Sequence, residues 1–254
     1  ECGAPERFLG CKLTAFPGRD GKIAPEDVLP VLGDLGNEHH NQPRVISITQ
    51  STELGTLYRP EEVRALADLA HGNGMFLHMD GARIANAAEA LGLSLAQATG
   101  ELGVDVLSFG GTKNGMMYGE AVVFFRPELA REFRFLRKQA MQLASKMRFI
   151  SAQFSALLEG GLWRANAANS NSMARVLAEA AGAVPGVEIT RPVETNAVFA
   201  RIPARAVEAL KEEYFFYVWN PSPAEAPEVR WMCSFDTTRE DVEGFAAALK
   251  RAMA

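Results

Sequence analysis

Two oppositely charged side chains each follow a run of residues typical of a buried strand. Asp80 ends one such run, and Lys113 follows the run at residues 104–109 after Gly110 and Gly111. The two charges are 33 residues apart, which is about one strand–helix–strand unit. Because the carboxyl ends of parallel strands meet at one edge of a sheet, this spacing predicts that the carboxylate and the amine face a common site.

A carboxylate and a lysine amine at one sheet edge are the pair that a pyridoxal phosphate enzyme requires. The amine of Lys113 would bond covalently to the cofactor aldehyde, and the carboxylate of Asp80 would keep the pyridine nitrogen protonated, so that the ring accepts electrons. Taken singly, Lys113 also fits a surface turn, and Asp80 before Gly81 and Ala82 also fits a helix cap. The two together favour a cofactor site.

Alternating strands and helices surround this pair. Strand patterns occupy residues 45–49, 75–80, 104–109 and 120–125. In the two segments that separate the first three strand patterns, apolar residues recur at i, i+3, i+4 and i+7. This spacing indicates helices that begin near Pro60 and Ile84. Such alternation predicts a mainly parallel sheet that helices cover on both faces.

The pattern changes after residue 126. Residues 127–182 are largely helical in pattern, residues 229–235 alternate as in a strand, and Thr238 is suited to cap a last helix. The predicted fold class is therefore α/β, with a large domain at residues 1–160 that contains the mainly parallel sheet. Residues 161–254 are predicted to form a connecting helix and a smaller α+β domain.

Composition limits the classes of partner. The chain has 254 residues, 22% of them charged, and a net charge of −5, which argues against nucleic acid or an anionic membrane as its main partner. No apolar run reaches the roughly 18 residues that span a bilayer. The three cysteines, Cys2, Cys11 and Cys233, suit a reducing, cytoplasmic compartment. No metal site is expected, because no histidine or cysteine set has suitable spacing.

Four segments together resemble the low-specificity L-threonine aldolases, pyridoxal phosphate enzymes of the aspartate-aminotransferase-like fold. They are residues 47–56, 78–83, 108–114 and 230–236, and their order and spacing carry the resemblance over nearly the whole chain. It implies a pyridoxal-phosphate-dependent transferase-like large domain. Family chains begin well before Glu1. We therefore expect this sequence to lack the family's Gly-Thr loop for the cofactor phosphate and its histidine that stacks on the ring.

The resemblance also implies roles for single residues. Lys113 corresponds to the lysine that bonds to the cofactor, and Asp80 to the partner of the pyridine nitrogen. Arg230 corresponds to the main clamp on the substrate carboxylate, and Arg83 assists it. A guanidinium suits this task because it grips a carboxylate at two atoms.

Further residues complete the expected site. Thr112, Lys146 and Arg148 are expected to approach the cofactor phosphate, the last two in part across a subunit interface. His40 lies thirteen residues before Glu53 and resembles a histidine placed near the substrate hydroxyl, where it would act as a base. Glu53 is expected to form a hydrogen bond near the hydroxyl group of the cofactor ring.

The predicted reaction is the retro-aldol cleavage of L-threonine or L-allo-threonine into glycine and an aldehyde, with pyridoxal 5′-phosphate as cofactor. Two alternatives remain open. The first is a related pyridoxal enzyme, either a β-eliminating lyase or an aldolase for phenylserine-type substrates. The second is a truncated fragment without catalytic activity. The family is oligomeric, so a homodimer or homotetramer is expected.

Overall fold

The computed structural model describes residues 2–254. The first part of the chain contains α1 (Ala4–Leu9), α2 (Pro25–Leu32), β1 (Val45–Thr49), α3 (Pro60–Gly72), β2 (Phe76–Gly81), α4 (Ile84–Ala90), β3 (Val106–Gly110) and β4 (Glu120–Phe124). The second part contains α5 (Phe133–Gln139), α6 (Met147–Leu158), α7 (Leu162–Gly182), β5 (Glu188–Ile189), β6 (Ala197–Arg201), α8 (Ala204–Lys211), β7 (Tyr217–Asn220), β8 (Glu228–Met232) and α9 (Arg239–Met253).

The first sheet has the strand order β1-β2-β3-β4. Its first three strands are parallel, and β4 pairs with β3 in the antiparallel sense. The register places Thr49, Asp80 and Ser108 side by side on neighbouring strands. The prediction of a mainly parallel sheet is confirmed, and the carboxyl ends of β1, β2 and β3 share one edge.

The two faces of this sheet differ. One face is apolar and buried against α3 and α4, and its side chains are Ile46, Ile48, Leu77, Met79 and Leu107. The opposite face carries polar groups that are exposed or half-buried: Ser47, His78, Asp80 and Ser108. The prediction that helices cover both faces is wrong for residues 2–254. Hydroxyl, imidazole and carboxylate groups favour contact with water or polar groups over an apolar helix face.

The second sheet is antiparallel throughout and has the order β5-β6-β8-β7. It packs with α7, α8 and α9 around a second apolar core. Helix α7 contributes Trp163 and Ala167 to the first core and Ala174 and Leu177 to the second. The proposed domain boundary between residues 160 and 161 stays a prediction.

Helix caps were only partly predictable. Thr238 caps α9 as expected: its Oγ1 accepts from the Asp241 N–H at 3.1 Å, and Asp241 Oδ2 accepts from the Thr238 N–H at 2.8 Å. Ser94 and Gln97 make the same reciprocal pair of bonds, at 3.0 and 3.1 Å. However, their segment continues as turns and one 3-10 turn at Gly100–Leu102 and not as an α-helix. Glycine disfavours continued helix there.

Candidate active site

The loop that carries Lys113 is held close to the end of β2. A Cβ on Gly110 would lie 2.6 Å from the Ala82 Cα, so only glycine permits this approach of the two backbones. Thr112–Asn114 then forms a 3-10 turn. The buried Asn114 amide donates to the Trp163 carbonyl of α7 at 3.1 Å. This anchor fixes the turn, while Lys113 itself is exposed beside the end of the sheet.

The Asp80 carboxylate is oriented by the backbone that follows it. Its Oδ1 accepts from the Ala82 N–H at 2.9 Å, and the residue is half-buried. The helix-cap alternative does not describe this contact, because α4 begins at Ile84 and its cap position is Arg83. Asp80 therefore presents a fixed carboxylate at the carboxyl end of β2.

Two arginines from different sheets meet at one glutamate. Arg83 Nη1 lies 3.3 Å from Glu53 Oε1, and Arg230 Nη1 lies 2.9 Å from Glu53 Oε2. Arg83 follows β2 of the first sheet, whereas Arg230 lies in β8 of the second. The Arg230 guanidinium is also 4.5 Å from the ring centre of Trp219, a cation–π contact that fixes its plane.

Three positive charges act on the Glu53 carboxylate, and one of them is the charge of Lys113. Burial raises the pKa of the Glu53 carboxyl. The charges of Arg83, Arg230 and Lys113, with the hydrogen bond from Arg230, outweigh burial and hold the pKa below the ordinary 4.5. The structure therefore brings Arg83 and Arg230 together on one ionised carboxylate, next to the sheet edge where Asp80 ends β2 and Lys113 follows β3.

His40 is not brought to this site. It is exposed in the loop before β1, and its Nδ1 lies 3.3 Å from Asp34 Oδ2. Lys113 and Asp80 follow the carboxyl ends of parallel strands, whereas His40 precedes the amino end of one. The length of β1, about 3.3 Å per residue, separates the two edges. The expectation that His40 lies near the substrate hydroxyl therefore gains no support from this contact and stays a prediction.

Of the residues expected at the phosphate, Thr112 lies in the Lys113 turn and the other two lie at the start of α6. In residues 2–254 none of the three side chains makes a hydrogen bond or ion pair with the side chain of Lys113 or Asp80. Thr112 Oγ1 donates to the Gly119 carbonyl at 3.5 Å. Lys146 and Arg148 are exposed at the start of α6, and the Arg148 guanidinium lies 4.9 Å from the ring centre of Phe149. Helix α6 reaches the loop through Gln153, whose Oε1 accepts from the Met117 N–H at 2.9 Å.

A hydrogen-bonded row on the polar face of the sheet was not foreseen. Ser47 Oγ lies 2.8 Å from His78 Nδ1, and His78 Nε2 lies 3.0 Å from Ser108 Oγ. Burial lowers the pKa of His78, and the nearby charge of Asp80 opposes this shift only in part. The imidazole is therefore held neutral next to Asp80. The sequence signal for this row is that Ser47, His78 and Ser108 each stand between two apolar residues of a strand.

The lowered pKa of His78 predicts a loss of stability in mild acid. The unfolded chain binds this proton near the ordinary pKa of 6.5, before the folded protein does, so the free energy of unfolding falls as the pH drops below that value. Replacing His78 with asparagine is expected to reduce the fall, by at most about 1.4 kcal/mol per pH unit. Urea unfolding at about pH 7.5 and about pH 5.5 measures it. An equal reduction in a variant of the exposed His39 would contradict the assignment.

Two negative findings complete the description. Within residues 2–254 no three histidine, cysteine, aspartate or glutamate side chains gather in a way that could hold a metal ion. No helix in that part of the chain is long and apolar enough to cross a membrane.

Comparisons with known proteins give a consistent result. Residues 1–205 match the family model described as beta-eliminating lyase. The whole chain is 44% identical to a low specificity L-threonine aldolase of a Pseudomonas species and 43% identical to one of Pseudomonas aeruginosa, and spans 72% of each. A structure of threonine aldolase from Leishmania major superposes on the whole chain with a TM-score of 0.93 at 30% identity, over 74% of that protein.

The structural match confirms the predicted α/β fold class, and the two Pseudomonas relatives confirm the resemblance that the four segments carry. Family membership makes the chain a carbon–carbon lyase with pyridoxal phosphate as its cofactor. With its fold, its lysine–aspartate edge and its relatives in agreement, the chain belongs to the beta-eliminating lyase family, in the branch of the low-specificity L-threonine aldolases.

Proposed function

We propose that this protein cleaves L-threonine or L-allo-threonine into glycine and acetaldehyde. The observation that carries the proposal is that Arg83 and Arg230 meet on one carboxylate beside the sheet edge where Asp80 lies, with the Lys113 loop packed closely against the end of β2. The curated relatives, which are named for this activity, support it.

The donor set at this edge fits pyridoxal 5′-phosphate. Lys113 supplies an exposed amine for the aldehyde, and Asp80 supplies an oriented carboxylate for the pyridine nitrogen. Thr112, Lys146 and Arg148 are the proposed phosphate contacts, and α6 supports this by packing on the Lys113 loop. The chemistry that the bound cofactor would supply is an electron sink for the carbanion formed at Cα by cleavage of the Cα–Cβ bond.

Arg230 and Arg83 are proposed to bind the substrate carboxylate. Their side chains are only 12% and 11% exposed, so ion pairs with them are weakly screened. Two guanidinium groups on one carboxylate also fix its orientation. That orientation decides which bond at Cα can be broken, because the carboxylate and amine positions leave one direction for the Cα–Cβ bond. His40 stays only a predicted base, because in residues 2–254 it pairs with Asp34 in the exposed loop before β1.

A β-eliminating lyase is the second candidate, favoured by the description of the matching family model. The test separates the two by their products. Purified protein with added pyridoxal phosphate and L-threonine is expected to release glycine and acetaldehyde, detected by amino-acid analysis and by an aldehyde-reducing dehydrogenase. Release of ammonia and a keto acid would instead identify the lyase. A phenylserine-type aldolase would yield benzaldehyde faster from phenylserine, and no product from any substrate would favour the non-catalytic fragment.

We also propose that the protein is a cytoplasmic homodimer or homotetramer. Large apolar side chains are exposed between the Lys113 turn and the first turn of α6, and such exposure favours a subunit contact there. They are Met117, Tyr118, Phe135, Leu136, Met141 and Phe149. The three cysteines are free, two of them exposed, which suits a reducing compartment.

The protein's partner in the reaction is a small amino acid. A net charge of −5 supports no role for nucleic acid.

A further inference from the structure

The two arginines proposed to bind the substrate carboxylate already hold a carboxylate of the protein itself. Glu53 bridges them, with one oxygen 3.3 Å from Arg83 Nη1 and the other 2.9 Å from Arg230 Nη1. A bridging carboxylate uses the same donors that a bound amino acid would need. An incoming substrate therefore has to compete with Glu53 for this pair.

The glutamate is the member of this trio that is free to move. Its side chain is 52% exposed, whereas those of Arg83 and Arg230 are 11% and 12% exposed. Arg230 is further fixed by its contact with the Trp219 ring, 4.5 Å from its guanidinium. When a second carboxylate arrives, the arginines stay in place and the Glu53 side chain leaves.

The backbone keeps the displaced carboxylate beside the site. Glu53 lies in a turn closed by two hydrogen bonds, from the Thr52 N–H to the Thr56 carbonyl at 3.0 Å and from the Gly55 N–H to the Thr52 carbonyl at 2.9 Å. The charge of Lys113 also acts on Glu53. A rotated side chain therefore remains beside the two arginines and under the influence of the Lys113 charge.

We propose that Glu53 makes the site selective for β-hydroxy amino acids. The substrate carboxylate displaces Glu53 from Arg83 and Arg230, and the displaced carboxylate then accepts a hydrogen bond from the substrate β-hydroxyl. An amino acid without this hydroxyl breaks the same two ion pairs and offers no donor in return. The proposal rests on the proposed function, because it requires the two arginines to bind the substrate.

The experiment compares L-serine with L-alanine, which differ only by the β-hydroxyl. Their affinities for the cofactor-loaded protein are measured from the cofactor absorbance change in stopped flow, before turnover. The unchanged protein is expected to bind serine about tenfold more tightly than alanine, as for a hydrogen bond to a charged group. In Glu53→Ala this preference should shrink to nearly one, while alanine itself binds several-fold more tightly because its competitor is gone.

Two further variants make the result interpretable. Glu53→Gln keeps the size of the side chain and removes its charge, so alanine should again bind more tightly, and this variant serves if Glu53→Ala fails to fold. Glu213→Gln is the matched control, because Glu213 forms an exposed ion pair with Arg251 at 3.2 Å, between α8 and α9. Both affinities should stay unchanged in it.

The outcomes separate this proposal from the function on which it rests. Unchanged alanine affinity in both Glu53 variants, or an unchanged serine preference in Glu53→Ala, overturns the role of Glu53. Arg230→Ala tests the clamp: if it leaves alanine binding intact, the proposed carboxylate site itself is wrong. If Arg230→Ala abolishes binding while the Glu53 variants behave like the unchanged protein, only the Glu53 proposal fails.

Discussion

Replacing Lys113 with alanine is expected to lower the rate of threonine cleavage by about 10³-fold or more, within the range found when a group that transfers protons at the reacting atoms is removed. The physical reason is that Lys113 supplies the amine for the cofactor aldehyde, and among residues 2–254 no other lysine follows a strand at this edge. The change should leave stability nearly unaffected, because Lys113 is exposed and the turn is anchored by Asn114 instead. Glycine release and thermal unfolding measure the two effects.

Lys250→Ala is the matched control for Lys113. Lys250 is exposed in the last turn of α9. This helix packs on the second core and not on the sheet that carries Asp80 and Lys113. The cleavage rate of the Lys250→Ala protein should equal that of the unchanged protein. Retention of more than about a tenth of the cleavage rate in Lys113→Ala would contradict the role given to this lysine.

Replacing Asp80 with asparagine is expected to slow cleavage by about 10²-fold or more, the scale found when one preorganised electrostatic group is removed from an active site. The amide keeps an oxygen that accepts from the Ala82 N–H, so the fold should be maintained. It carries no charge, and the pyridine nitrogen would no longer be held protonated. The loss should therefore fall on kcat more than on KM for threonine.

Asp68→Asn makes the same chemical change on an exposed face of α3 and should leave both kinetic constants unaltered. An Asp80→Asn protein with nearly full kcat would show that the ring nitrogen does not depend on this carboxylate. An unfolded Asp80→Asn protein would instead assign Asp80 a purely structural role.

The core of the site was predictable because it depends on local patterns. Strand and helix periodicities fixed the ends of β2 and β3, and parallel pairing then placed Asp80 and Lys113 at one edge. The same reasoning applied to His40 would have placed it at the other edge, since it precedes β1.

The remaining features depend on contacts between distant parts of the chain. Glu53 and Arg230 are 177 residues apart, and no local pattern indicates that they meet. The open polar face of the first sheet had a sequence signal, since Ser47 alternates with Ile46 and Ile48 in a strand assumed to be covered on both sides. A fully buried parallel strand is usually apolar at every position, so this alternation marked the exposed face.

The central claim is that the amine of Lys113 bonds to the cofactor. Borohydride reduction of the whole protein loaded with pyridoxal phosphate, followed by proteolysis and mass spectrometry, tests it most directly. The account predicts a reduced phosphopyridoxyl group on the peptide that contains Lys113. A label on another lysine, such as Lys146, or no label on a protein that shows the cofactor's absorbance, would contradict it.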